Sequence, residues 1–306
     1  MVAADPVRIA TWNADLSRDG PGLLLRDILK DTPGTSAVAE AIAAAAPDIL
    51  LLTDVDFDHD LVALGALSDR IEGAGGAYPH RFALRPNTGL PTGADLDGDG
   101  RLGGPRDAQG YGEFAGQGGM AILSKWPLRP IADFSGLLWR DVPDTSMRAD
   151  DTLTGAQRLS TSGHWVVAVE TPGGVLTLMA FAATPPVFDG PEDRNGRRNR
   201  DEVLLWRSYL DGAIAAPPEP PFVLLGDANL DPLRGDGLRD AMRAILGDAR
   251  LRDPLPGRPT VLWEEVGEMR VSYVLPSAGL RILSAGVLPP VGEEAHRMVM
   301  VTVDLP

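Results

Sequence analysis

Short apolar runs that stop at an oxygen-bearing polar residue constrain this chain most. VRIATW, from residue 7, runs into Asn13; DILLLT, from residue 48, runs into Asp54; PFVLLG runs into Asp227, with Asn229 two places on. Such runs are too short for buried helices and the right length for strands. A strand ending in Asp or Asn delivers its side chain to the rim of a sheet, where loops over a rigid scaffold build binding sites. Singly, each residue also reads as a turn former that bonds its own backbone. His296, just before the closing run RMVMVTVDL, reads equally as a half-buried, hydrogen-bonded histidine. Both readings stand at this point.

Between these runs the pattern changes to helix. Residues 37–46 are Ala-rich, with Thr35 or Ser36 as the expected cap and Pro47 as the stop. Residues 61–71 predict an amphipathic helix, and residues 85–118, dominated by Gly, Pro, Asp and Asn, predict a long loop. Strands are expected at 120–123, 165–169 and 175–181, the last two joined by a turn at Thr171-Pro172-Gly173-Gly174. A helix at 197–215 turns Leu204, Leu205, Trp206 and Leu210 inward, and strand, turn and helix alternate from there to the end. At ~150 residues per domain the length allows two domains. No repeat or linker marks a boundary, so the expectation is one α/β domain over residues 1–306, with two packed sheets flanked by helices.

Composition narrows the function. The chain is 44% hydrophobic and 23% charged, which supports a packed core and excludes a disordered chain. Lys plus Arg number 28 against 43 Asp plus Glu, a net charge of −15 that opposes a phosphate backbone and disfavours long DNA as a partner. With zero cysteines there are no disulfides, Cys-ligated metals or thiol nucleophiles. No stretch approaches the ~20 apolar residues of a membrane span, and the start MVAADPVRIATWN lacks a basic segment followed by an apolar one. The expectation is a soluble protein without an export signal in the given sequence, either cytoplasmic or the mature form of an exported one.

The series TWN, PDILLLTDVD, TPPVFDGPEDRNGRRNRDE, LLGDANLDP, RVSYVLPSAGL and HRMV resembles the endonuclease/exonuclease/phosphatase superfamily, with its deoxyribonuclease I-like fold. The resemblance spans almost the whole chain, and GDANLDP between a buried strand and a helix is its most specific piece. It implies a four-layer α/β/β/α sandwich of two mostly antiparallel sheets that hydrolyses phosphate esters, as phosphodiesterase, phosphatase or nuclease, with Mg²⁺ or Mn²⁺. It implies Asn13, Asp54 and Asp227 as metal ligands. Asp227 and Asn229 would activate water and hold the phosphate, and His296 would contact phosphoryl oxygens or move a proton. Hard oxygen ligands suit Mg²⁺, a carboxylate can take a proton from water, and a donor steadies oxygens that gain charge. Substrates across the superfamily include nucleic acid, inositol phosphates, phospholipid head groups and small phosphodiesters, so the expected partner is a phosphodiester or a phosphorylated small molecule.

Several positions depart from that pattern. Asp54 replaces the usual glutamate. The Ser-Asp-His motif reads Glu294-Ala295-His296, Arg-x-Asp-Tyr reads Arg270-Val271-Ser272-Tyr273, and Ala182 stands where many relatives have a histidine. These changes imply either a weakened or specialised hydrolase or a catalytically silent member that uses the groove to bind a ligand or protein. His164 reads as a replacement donor or as a strand-start histidine bonded to backbone. Arg194, Arg197, Arg198 and Arg200 form a patch that would hold an anion, or a solvated helix start paired with Glu192, Asp193, Asp201 and Glu202. Asp95, Asp97 and Asp99, with Gly100 sixth, have the spacing of a calcium loop, but position twelve is Arg106, with Asp107 one beyond; a plain Asp/Gly turn cluster is the other reading.

Overall fold

The computed structural model describes residues 6–152, 155–292 and 295–305. Strand β1 (Val7–Leu16) is followed by helices α1 (Leu23–Leu29) and α2 (Pro33–Ala45), then β2 (Ile49–Val55) and α3 (Val62–Gly73). Next come β3 (His80–Phe82), the long loop, β4 (Gly119–Ser124), β5 (Leu128–Asp133), and the hairpin β6 (Gly163–Thr171) and β7 (Gly174–Ala182). Helix α4 (Arg194–Leu210), β8 (Phe222–Asp227) and α5 (Asp240–Leu246) lead to β9 (Val261–Trp263), β10 (Gly267–Met269), β11 (Ser272–Pro276), β12 (Arg281–Val287) and β13 (Val299–Asp304).

Two sheets result, ordered β12-β13-β1-β2-β4-β3 and β11-β8-β7-β6-β5, with β9 and β10 paired apart. Among the described strands, β1–β2 and β7–β8 are the parallel pairs, each joined by a helical crossover. The alternation of strand side chains builds the layers. In β7, Leu176, Leu178 and Ala180 enter the apolar layer between the sheets, while Met179 and Phe181 face α4. The inner layer packs Ile9, Ile49, Leu51 and Ile122 of the first sheet with Val167, Leu178, Val223 and Val274 of the second. Each such side chain contributes about 1.5–3 kcal/mol on burial, so this layer outweighs any single polar contact. α1, α2 and α3 cover the outer face of the first sheet, and α4 and α5 that of the second, completing the expected four-layer sandwich. No described helix is long and apolar enough to cross a membrane.

Two helix boundaries differ from expectation. α2 begins at Pro33 after Thr32, so Thr35 and Ser36 lie inside its first turns and are not its cap. Proline suits a first helical position because its φ is preset and its missing N–H is not needed there. α4 starts at Arg194 and ends at Leu210, five residues short, because Gly212 at φ 73° turns the chain out and lets Ala213 N–H reach the Ser208 carbonyl at 2.9 Å.

The arginine patch is neither an anion site nor a solvated helix start. Arg197 is buried in a bidentate pair with Asp151 (2.8 and 2.7 Å), and Arg198 donates to the carbonyls of Gln109, Arg158, Leu159 and Ser160. Arg194 bonds Gln157, and Arg200 pairs with Asp201, which is itself buried and bonded to Trp139 and Ser146. Glu202, fully buried, accepts the N–H groups of Thr161 and Thr184. Burial pushes its carboxyl up to about 7 and the Arg198 guanidinium down to about 10. Guanidinium groups meeting carbonyls, and a carboxylate meeting N–H groups, satisfy loops that would otherwise bury bare backbone.

His164 takes its structural reading. Its Nε2 donates to the Glu202 carbonyl at 2.9 Å, and its Nδ1 accepts from Ser160 Oγ at 2.6 Å. Burial lowers its pKa to about 4. The folded state therefore disfavours the proton, and the stability that neutral His164 provides is present above about 6.5 and lost as pH falls toward about 4. Glu202 acts in the opposite sense, losing stability as pH rises from about 4.5 toward about 7. Comparison with His164→Gln isolates the histidine. Urea unfolding of both proteins should show the wild type losing about 2 kcal/mol more than the variant between pH 7 and pH 5; parallel curves would remove the buried-histidine account.

Candidate active site

Parallel pairing sets the first part of the site. Asn13 of β1 lies in register with Thr53 of β2, and Asp54 follows at a bulge where its own φ is 56°. A left-handed Asp is tolerated more easily than most residues, because its short side chain can bond locally. Gly118 opposes it: a Cβ there would stand 3.0 Å from Asp54 Oδ1, and φ at Gly118 is 55°. Glycine thus leaves the Asp54 carboxylate its space.

The second sheet contributes Asp227, last residue of β8 and 2% exposed. Its Oδ2 accepts from Asn13 Nδ2 at 3.2 Å, a hydrogen bond that joins the rims of the two sheets. Its Oδ1 accepts the N–H of Asn229 at 3.1 Å. Asn229, at φ 48°, donates from Nδ2 to the Ala183 carbonyl at 2.9 Å. The Gly-Asp-Ala-Asn run therefore has a physical reading: a Cβ on Gly226 would fall 1.9 Å from the Phe181 carbonyl oxygen, and φ there is 148°. Only glycine lets β8 lie this close to β7 just before the aspartate.

His296 closes the group. Trp12 Nε1 donates to its carbonyl at 3.2 Å, and Trp263 stands edge-on to its ring at 5.5 Å. Its Nδ1 is buried without a hydrogen-bond partner, 3.9 Å from Asp227 Oδ2. Asn13, Asp227, Asn229 and His296 thus come together, with Asp54 on the adjoining strand end. Oxygen donors from Asn13, Asp54 and Asp227 suit a hard divalent ion, and the unpartnered nitrogen suits a ligand oxygen.

Two of the positions read from the sequence as departures flank the same carboxylate. Ala182 of β7 and Ser272 of β11 are both register partners of Asp227. Ser272 gives its N–H to Thr260 Oγ1 at 3.1 Å, and Ala295 gives its carbonyl to Leu262 N–H at 3.0 Å. Glu294 lies outside the described residues. Arg270 forms a bidentate pair with Asp253 (2.7 and 2.6 Å) and stacks over the Tyr273 ring, so these two members of the Arg-x-Ser-Tyr run hold the fold.

Two residues at the site escaped sequence reasoning. Asp56 is buried and accepts from Ser17 Oγ (3.1 Å), Arg18 N–H (3.0 Å) and Gly118 N–H (3.1 Å); desolvation pushes its carboxyl up against the pull of those donors. Its signal was the acid at every second place in TDVDFDHD, but the bulge at Asp54 breaks the alternation. Asn199 on α4 donates to the carbonyls of Thr184 (2.7 Å) and Ala228 (2.8 Å), fixing the segments beside Asn229. It was hidden in a helix whose polar residues read as solvent-facing.

The Asp95, Asp97 and Asp99 carboxylates lie within 4.8 Å of one another, apart from this group. Asp95 accepts the N–H groups of Gly98 and Gly100, at 2.7 and 2.8 Å. Asp107 is turned inward, taking Leu96 N–H (2.7 Å) and Gly104 N–H (3.0 Å), which lowers its pKa; it braces the loop from below.

A family model described as Endonuclease/Exonuclease/phosphatase family matches residues 10–294. A search of curated proteins found no match. Among solved structures, an endonuclease/exonuclease/phosphatase from Beutenbergia cavernae DSM 12333 is similar at 17% identity and TM-score 0.64, covering 98% of this chain and 72% of its own. The human Nocturnin catalytic domain with bound sulfate anion is similar at 16% identity and TM-score 0.55, covering 98% and 94%. Sphingomyelinase C from Streptomyces griseocarneus is similar at 17% identity and TM-score 0.53, covering 98% and 100%. At these identities the likeness concerns the fold.

The Gly226 contact yields an expectation about folding. Gly226→Ala should destabilise the chain by at least ~3 kcal/mol, since overpacking costs 1–3 and the added methyl meets fixed backbone. Urea denaturation measures it, and a loss below ~1 kcal/mol, the ordinary range for a tolerated substitution, would show that β8 can shift away from β7.

Proposed function

This chain belongs to the endonuclease/exonuclease/phosphatase family, and on that premise we propose that it is a divalent-metal-dependent hydrolase of phosphate esters, acting on phosphodiesters or phosphorylated small molecules. The observation that carries the reading is the convergence of Asn13, Asp227, Asn229 and the unpartnered His296 Nδ1 at the joined rims of two sheets. Asn13, Asp54 and Asp227 would hold Mg²⁺ or Mn²⁺, which when bound supplies positive charge to a phosphoryl oxygen. Asp227 is the base that takes a proton from water. Asn229 keeps one amide N–H for a phosphoryl oxygen, its other serving Ala183, and His296 Nδ1 donates to the same group when protonated. The net charge of −15 favours a small substrate over long DNA.

We further propose that the activity is weakened or specialised. Ala182 offers no donor beside Asp227, and Ser272 offers no carboxylate to hold His296 as a cation. Loss of one donor to developing charge costs ~10²–10³ in rate. A silent member that binds a ligand in this groove is the second reading, favoured by the same two positions.

Hydrolysis of bis(4-nitrophenyl) phosphate and 4-nitrophenyl phosphate, with Mg²⁺ or Mn²⁺, should fall at least ~10²-fold in Asp227→Ala. Mn²⁺ should raise the melting temperature of the wild type, and the gain should vanish in an Asp54→Ala, Asp227→Ala double variant. Equal rates, with a thermal gain that survives the double variant, would refute both the enzyme and the metal site. Ca²⁺ at Asp95, Asp97 and Asp99 is a separate proposal, and calorimetric Ca²⁺ binding that persists in that double variant but not in an Asp95→Asn, Asp97→Asn, Asp99→Asn variant would support it.

The register around Asp227 leads to a second expectation. Ala182→His, Ser272→Asp and Ala295→Asp together should raise metal-dependent phosphodiesterase activity far more than the single changes do, because a carboxylate at 272 would charge-stabilise His296 while a histidine at 182 meets the same phosphate. Circular dichroism must confirm folding, since an unpaired buried carboxylate costs several kcal/mol. A folded triple variant without gain would move the binding-protein reading to first place.

A further inference from the structure

A cleft of about 230 Å³ opens beside Asp56, between the start of α1 and the end of the long loop. Leu24, Leu25, Phe57 and Phe114 form its apolar walls, and Arg85 joins the lining. Arg85 is exposed and has no ion pair among the described residues. Asp56 and Gly118 lead from the cleft toward the candidate site: Asp56 Oδ1 accepts the N–H of Gly118 at 3.1 Å, and a Cβ on Gly118 would stand 3.0 Å from Asp54 Oδ1. The loop carrying Phe114 is held there by Phe57 N–H to the Gly116 carbonyl (2.7 Å) and Gln117 Nε2 to the Arg18 carbonyl (2.9 Å). The wall therefore stands formed before any ligand arrives.

Size and chemistry define the occupant. Whole small molecules take pockets of ~300–1,000 Å³, so this cleft holds one portion of a substrate. Two phenyl groups and two leucines favour an apolar, planar group, and a guanidinium without a carboxylate can stack on its face. Asp56 accepts three donors and Asp58 Oδ2 takes Ala63 N–H at 2.9 Å, and both carboxylates, where ionised, repel an anion.

We infer that this cleft is a subsite for an uncharged aromatic ring carried by the phosphate ester, the phosphoryl group lying at Asp54 and Asp227. This inference rests on the phosphoesterase reading. It assigns Phe57, Phe114 and Leu25 to substrate choice and leaves the reacting atoms to the strand-end residues.

Calorimetry on the full chain loaded with Mn²⁺, using phenylphosphonate and methylphosphonate as non-hydrolysable probes, tests it. The wild type should bind phenylphosphonate roughly tenfold or more tightly than methylphosphonate, the range an apolar pocket provides. Phe114→Ala and Phe57→Ala should each remove most of that preference and leave methylphosphonate affinity unchanged. Equal affinities in the wild type, or a preference retained in full by both variants, would overturn the subsite while methylphosphonate binding upholds the phosphoesterase reading. Failure of both probes to bind would overturn that reading and the subsite with it. If one variant does not fold, the wild-type comparison and the other variant still decide the matter.

Discussion

Burial of the two inner sheet faces against each other, Ile9, Ile49 and Leu51 on one side and Val167, Leu178 and Val223 on the other, holds the strands of the two main sheets in place. A close-packed apolar layer has few alternative registers, because sliding a strand by one residue would turn its apolar set to the wrong face. With that layer in place, the ends of β1, β2 and β8 meet at one rim. The 3.2 Å hydrogen bond from Asn13 to Asp227 is a product of the packing, far weaker than the layer that makes it.

The polar strut under α4 performs a second task. Arg198 and Glu202 are ionisable residues in the buried interior, an arrangement that costs free energy unless their hydrogen-bonding groups are met. Here they are met by backbone: four carbonyls for Arg198, two N–H groups for Glu202. The segments so held include Thr184, next to the Ala183 carbonyl that receives Asn229. Rigid support of this kind places a side chain within the tolerance that catalysis or tight binding demands. It also explains why a cluster of arginines in an acidic chain need not face a ligand.

Around Asp227 close backbone packing meets a rim of small side chains. Gly226 allows close approach to β7, Asn229 adopts a left-handed turn, and both register neighbours of the aspartate are small and without charge. A scaffold can be retained while its function shifts, since the core determines the fold and a few rim residues determine the reaction.

Much was legible in the chain itself, because strand and helix periods are local properties. The runs before Asn13, Asp54 and Asp227, the β6–β7 turn and the four-layer order could all be read from residue spacing and the family resemblance. Asn13, Asp54, Asp227, Asn229 and His296 could be named from motifs whose spacing reflects strand ends. Three-dimensional packing alone decided the rest. Whether Arg198 faced solvent or carbonyls, whether His164 served a phosphate or a backbone, and whether Asp107 pointed out or in depended on partners 11 to 89 residues distant. Burial of a polar residue is set by what folds over it, and a sequence period does not carry that information.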